Sequence, residues 1–324
     1  MRAAVWLSII ALVALAGVAG VFVGSVPLTL AEVWRALAGE SGDSASTIVR
    51  ELRLPRVALA ALVGAALGAS GAALQGALRN PLAEPYLLGV SGGAAVGAVV
   101  AVAFGIVGIW GLSIAAFGGA ALAVLLVILV ASGTGRRADP RILLMAGVVV
   151  GAFANAVIMI VLSSAPAERV RDAVWWMMGS VAGARWPGVV ALLLFVIVAL
   201  SALVASGREL DALALGEEPA AALGVDVDRA SARVFLFAAL LAAATVASAG
   251  LVGFVGLVVP NLARAMGVRA HRELVAASAL LGGGIVILAD LAARTVRAPL
   301  ELPLGAVTAV VGVPFLLVHL RKLA

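Results

Sequence analysis

The sequence predicts an all-α, polytopic membrane protein. Its single domain, residues 1–324, would cross the bilayer ten times with both ends in the cytoplasm. Three observations lead there. Of the 324 residues, 64% are hydrophobic and 12% charged, against roughly 25% charged in an ordinary soluble domain. Apolar runs close to the ~20 residues that a helix needs to cross the hydrocarbon core recur along the chain. The arginines between those runs fall unevenly on the two sides.

Nine runs can be read in order: 3–24, 57–78, 86–107, 110–131, 142–164, 187–206, 234–263, 274–293 and 304–320. The first follows Arg2 and is longer than the apolar core of a cleavable signal, so it reads as a retained helix. The seventh, at about 30 residues and about 45 Å of helix, is too long for one upright span. It carries Gly250, Gly253, Gly256 and Pro260, which suggests a long helix followed by a short one. If this run crosses twice, thirteen basic residues lie inside and nine outside. If it crosses once the count becomes ten against twelve, which opposes the positive-inside rule.

The longest polar segment, about 206–233, then faces the cytoplasm. It can form two short helices with Gly216 and Gly224 as breaks and Glu217, Glu218, Asp226 and Asp228 near helix starts. Pattern alone leaves it open as a solvated connector or a docking element. In the second run Gly64, Gly68, Gly71 and Gly76 recur, a small face that lets membrane helices approach closely.

Several functions are excluded. The single lysine, Lys322, stands outside any G-x-x-x-x-G-K-[ST] frame, so this chain has no P-loop. There is no cysteine, hence no disulfide or thiolate chemistry. His271 and His319 have no metal-ligand spacing. The net charge is only +5 and the arginines are dispersed, unlike a nucleic-acid stripe.

Charge inside the spans is sparse. Asp290 precedes Arg294 by one turn, the spacing of a local ion pair. Gln75 and Asn155 read as buried amides that tie helices together. No span carries the repeated acids of a proton or sodium relay, which argues against a stand-alone secondary carrier. Arg50, Arg53 and Arg56 cluster on the outer side, either as headgroup anchors or as a landing surface for an acidic partner.

Longer motifs resemble a known family. Leu52-Arg53-Leu54-Pro55-Arg56, the glycine-rich stretch from Gly64 to Gln75, Arg79-Asn80-Pro81-Leu82-Ala83-Glu84-Pro85 and Leu88-Gly89-Val90-Ser91 are similar to the FecCD-type permeases. These are the membrane subunits of ABC importers for iron siderophores, haem and cobalamin. Trp176-Met177-Met178-Gly179-Ser180, Leu215-Gly216-Glu217, Ala222-Leu223-Gly224-Val225, Gly253 to Pro260, Glu301-Leu302-Pro303-Leu304-Gly305 and Gly312-Val313-Pro314-Phe315 follow in the family's order.

The resemblance implies a type II ABC importer permease in a bacterial inner membrane. It implies a homodimer, two cytoplasmic ATPase subunits that carry ATP and Mg²⁺, and a periplasmic substrate-binding protein. No cofactor is implied on this chain. The positions of Arg53, Arg56 and Arg294 would dock the binding protein. Leu215, Gly216, Glu217, Ala222, Leu223, Gly224 and Val225 would couple to the ATPase, and Asn80, Leu82, Pro140 and Arg141 would form cytoplasmic gates. Asn261 stands where the family usually has histidine. The cargo ranks as ferric siderophore or haem, then cobalamin.

Overall fold

A computed structural model describes residues 2–39, 44–106, 108–132 and 140–320. Their regular structure is entirely helical. In chain order the helices are α1 (Arg2–Phe22), α2 (Leu30–Ala38), α3 (Ser44–Thr47), α4 (Leu54–Ala77), α5 (Val90–Ala103), α6 (Ile109–Ser132), α7 (Pro140–Ser163) and α8 (Ala167–Met177). They continue as α9 (Trp186–Ala205), α10 (Gly207–Leu215), α11 (Glu217–Ala222), α12 (Val227–Ala249), α13 (Val255–Ala265), α14 (His271–Thr295) and α15 (Leu304–Leu320). A π-helical turn, Ile48–Arg53, joins α3 to α4, and a 3₁₀ turn, Pro85–Leu88, precedes α5.

Among the described residues, 7 helical runs are long and apolar enough to cross a membrane: α1, the run Ser44–Ala77 that ends in α4, α6, α7, α9, α12 and α14. Three shorter apolar helices, α5, α13 and α15, accompany them. The long seventh run divides as its glycines suggest: α12 stops at Gly250, which has a φ of +68°, and α13 restarts at Val255.

Local chemistry sets the other boundaries. Thr29 and Glu32 form a capping box at α2, and Gly39 closes that helix in the left-handed region, satisfying end groups that the helix itself cannot. Pro187 sits in the first turn of α9, where a missing N–H costs nothing, and Pro55 follows directly on the π-helical turn that leads into α4. Asp226 caps α12 by accepting the Arg229 N–H.

The centre of the bundle is α4. Between Val63 and Ala77 every residue except Ala65 is buried, and α4 packs on α9, α12, α13 and α14. Its glycine face makes the closest approach. A methyl group added to Gly64 would lie 2.0 Å from the Gly282 carbonyl oxygen, and one on Gly71 would lie 1.9 Å from that of Gly256. The outer helices behave oppositely. Leu7 and Leu15 of α1, Leu125 of α6, Met159 of α7 and Leu194 of α9 are exposed, which suits a hydrocarbon solvent and would be a liability in water.

Candidate functional site

At one end of the bundle Arg56 and Arg294 converge on Asp290. Arg56 Nε and Nη2 donate to Asp290 at 3.0 and 2.8 Å, while its Nη1 and Nη2 donate to Glu301 at 2.7 and 2.9 Å. Arg294 Nε lies 3.5 Å from Asp290 Oδ2, so the one-turn pair forms as its spacing suggests, as an ion pair without a hydrogen bond from Nε. Arg56 and Glu301 complete a cluster that sequence spacing did not reveal.

Arg53 and Arg294 are each 4% exposed, and both serve α1. Arg53 Nη1 donates to the carbonyls of Val21 and Phe22 at 2.8 and 2.9 Å, and its Nη2 to that of Val26. Arg294 Nη2 donates to Gly20 at 2.7 Å. The last carbonyls of a helix have no partner within it and carry partial negative charge. Two guanidiniums answer both needs. Arg50 also turns inward, donating to the Ala36 carbonyl at 2.7 Å. What the cluster offers to solvent is mainly Glu301, with a side chain 37% exposed, and the edge of Arg56 at 11%.

A second polar network holds the segment between α4 and α5. Pro260 lies inside α13 and cannot donate to the carbonyl four residues earlier, that of Gly256. Gln75 Nε2 donates there instead at 3.3 Å, and to Leu257 and Ala83 at 3.2 and 3.3 Å. Its oxygen accepts from Arg264 at 2.6 Å. Asn261 donates to Pro81 at 3.1 Å and Leu257 at 2.8 Å, and accepts from Arg264 at 3.1 Å. The amide at position 261 thus uses donor and acceptor together and fixes the segment's backbone. Asn155, by contrast, is exposed on α7, so only Gln75 of the two amides ties helices within this chain.

Within the segment, Arg79 has a φ of +51°, and Asn80 Oδ1 accepts the Leu82 N–H at 2.9 Å, a turn that asparagine side chains favour. Leu82 is 42% exposed. Beyond it, the Glu84 carboxyl accepts the Phe254 N–H, and burial pushes its pKa above the ordinary value. Tyr86 Oη donates to the Val252 carbonyl and accepts its N–H, both at 3.2 Å. The segment is therefore stapled to the α12–α13 break. Pro140 and Arg141 begin α7, but their side chains lie outside the described residues. Asn80 and Leu82 are thus the half of the gate reading whose contacts are described.

The polar segment folds into α10 and α11 with Gly216 between them, at a φ of +123°. Ala220 is buried and Val225 packs against the core, while Leu215 and Leu223 are each 66% exposed. Two links run inward from this pair. Asp211 Oδ1 of α10 accepts the His271 backbone N–H at 2.9 Å and lies 2.7 Å from its Nδ1. It supplies from another helix the cap that Ala270 cannot give to α14, at the end where a carboxylate is favoured. Arg79 Nη2 lies 3.8 Å from Glu217 Oε1, joining α11 to the Asn80 segment. No cluster of potential metal ligands occurs among the described residues.

The structure is thus a bundle of apolar helices with a buried glycine-lined helix at its centre, a stapled segment after it and an exposed pair of short helices. The chain belongs to the FecCD transport family, which it matches over residues 11–322. It is 43% identical to a cobalamin import system permease of Halobacterium salinarum over 86% of this chain and 74% of that one. It is 36% identical to a hemin transport system permease of Yersinia pestis over 91% of this chain and 88% of the relative. A solved structure described as an inward-facing conformation of a metal-chelate type ABC transporter superposes with a TM-score of 0.89 at 27% identity, covering 99% of this chain and 100% of the other. Such permeases are not enzymes, and hydrolysis of ATP falls to a separate subunit.

Proposed function

We propose that this chain imports a large metal chelate across a bacterial inner membrane by alternating access. In this reading it has ten spans with both ends cytoplasmic, pairs with a second copy around one path, and is driven by two ATPase subunits. The 7 long and three shorter apolar helices support ten spans. The observation that carries the mechanism is the double attachment of the α10–α11 pair. Exposed Leu215 and Leu223 offer apolar grip to an ATPase, and movement imposed there is passed through Glu217 to Arg79 and through Asp211 to His271. The first link ends beside Asn80 and Leu82, where a gate would open; the second ends on α14, which packs along α4. Closure of an ATPase would thus bias the gate segment and the central helices together, as a switch between packed arrangements requires.

Arg53, Arg56 and Arg294 would lie at the face that receives the binding protein, where Arg56 and the more exposed Glu301 are what a partner would touch. Arg56 reaches its surface, while the other two brace α1 behind it. The relatives' names favour a corrinoid or a porphyrin over a ferric siderophore as cargo.

Reconstitution with the ATPase and binding protein tests this. Uptake of cobalamin, haem and a ferric siderophore should require ATP. Glu217→Arg should lower it, and Arg79→Glu combined with Glu217→Arg should restore it. The melting temperature should hardly move, because such an exposed pair contributes about 0–1 kcal/mol. Uptake without ATP, or unaffected by Glu217→Arg, would overturn the coupling.

A further inference from the structure

A groove of about 620 Å³ opens between α6 and α9. It lies at the Asp290 end of the bundle, because Leu59, on its back wall, is about one turn along α4 from Arg56. Its lining is aromatic and aliphatic apart from Ser113, Ser248 and Arg185. Phe117 of α6 and Phe195 of α9 meet across it, with ring centroids 5.4 Å apart.

The space exists because side chains are missing where the helices would otherwise fill it. A methyl group built on Gly118, Gly183 or Gly188 would meet nothing within 4 Å. At the rim, Arg185 is exposed, and its side chain has no hydrogen-bond or ion-pair partner among the described residues. Trp110, also on the lining, is 54% exposed. Aromatic and basic side chains together mark the depth at which headgroups meet acyl chains. An unpaired guanidinium above an apolar groove fits an amphiphile with a phosphate at one end, since the guanidinium fork matches phosphate oxygens.

We propose that this groove holds one resident phospholipid, an acyl chain lying against Leu59 and Phe117 and the phosphodiester on Arg185. The lipid completes the contact between α6 and α9 that Gly118 and Gly188 leave unfilled. The proposal requires the chain to lie in a bilayer and does not require the transport mechanism.

The full chain, reconstituted in nanodiscs of phosphatidylglycerol and phosphatidylethanolamine and then moved to detergent, can be weighed intact by native mass spectrometry. The wild-type chain should retain one phospholipid. Arg185→Glu should lose it for want of the phosphate contact, and Gly118→Leu and Gly188→Leu should lose it by filling the groove. Both glycines have open surroundings and Arg185 is exposed, so melting temperature serves as the folding control. Phosphatidylglycerol with brominated acyl chains should quench a fluorescence component that Trp110→Phe removes. Equal lipid retention in the three variants would overturn the proposal. So would a change of oligomeric state in Gly188→Leu with lipid retention unchanged, since a second copy would then be the occupant.

Discussion

Removing Arg56 would strand Asp290, whose side chain is 3% exposed, with only the longer contact to Arg294. Breaking a buried ion pair from one side typically costs about 3–5 kcal/mol, and Arg56→Met should lower thermal stability in detergent by an amount of that order. Adding Asp290→Asn to it should not recover the loss, because it takes from the buried Arg294 its own ion-pair partner. Glu84 gives a pH signature instead. Its carboxyl is raised by burial, the Phe254 N–H only partly offsetting this, so the folded chain holds a proton that the unfolded chain releases. That contribution is fully present below the ordinary value of 4.5 and is lost as pH rises through the folded value. Glu84→Gln should flatten this part of the stability profile while retaining an acceptor for Phe254. Melting curves of both proteins from pH 4.5 upward check it. At this scale the sequence exposes only what is local. The Asp290–Arg294 pair follows from a one-turn spacing, whereas Arg56 meets Asp290 across 234 positions and Glu301 across 245. No spacing rule says which helices adjoin.

The helices themselves are far more legible, because length and apolar continuity are local properties. The nine runs correspond to α1, α4, α5, α6, α7, α9, the α12–α13 pair, α14 and α15. The third run overshoots at its start, where Pro85 opens a 3₁₀ turn and Gly89 closes it at a φ of +75°. The short α2 and α8 escape notice because they are amphipathic and lack an apolar run of spanning length. Glycine content is legible as well, but the role of each glycine is not. Gly64 faces a backbone oxygen that a methyl group would approach to 2.0 Å, whereas Gly17 and Gly118 face open space. Gly64→Ala should therefore push α4 from α14 and destabilise by about 1–3 kcal/mol or more. Gly17→Ala should be neutral or stabilising by about 0.5–1 kcal/mol, the helix preference for alanine. Thermal unfolding of the two variants side by side separates close packing from mere smallness.

For the whole molecule, the absence of cysteine makes orientation directly measurable, since any introduced thiol is unique. Ser25 and Glu218 are both exposed, near opposite ends of the bundle. In intact cells a membrane-impermeant maleimide should label Ser25→Cys, and should reach Glu218→Cys only after permeabilisation. Labelling of both from one side would refute ten spans with cytoplasmic ends. The central place of α4 also bears on how the chain is made. α4 is synthesised early, yet α13 and α14, which together fill its glycine face, follow only after most of the chain. Until then that face can be packed only by lipid or by a neighbour that must later give way. The bundle consequently closes at its middle last, and a nascent chain halted before α14 leaves its innermost helix open on one side to the quality-control proteases of the membrane.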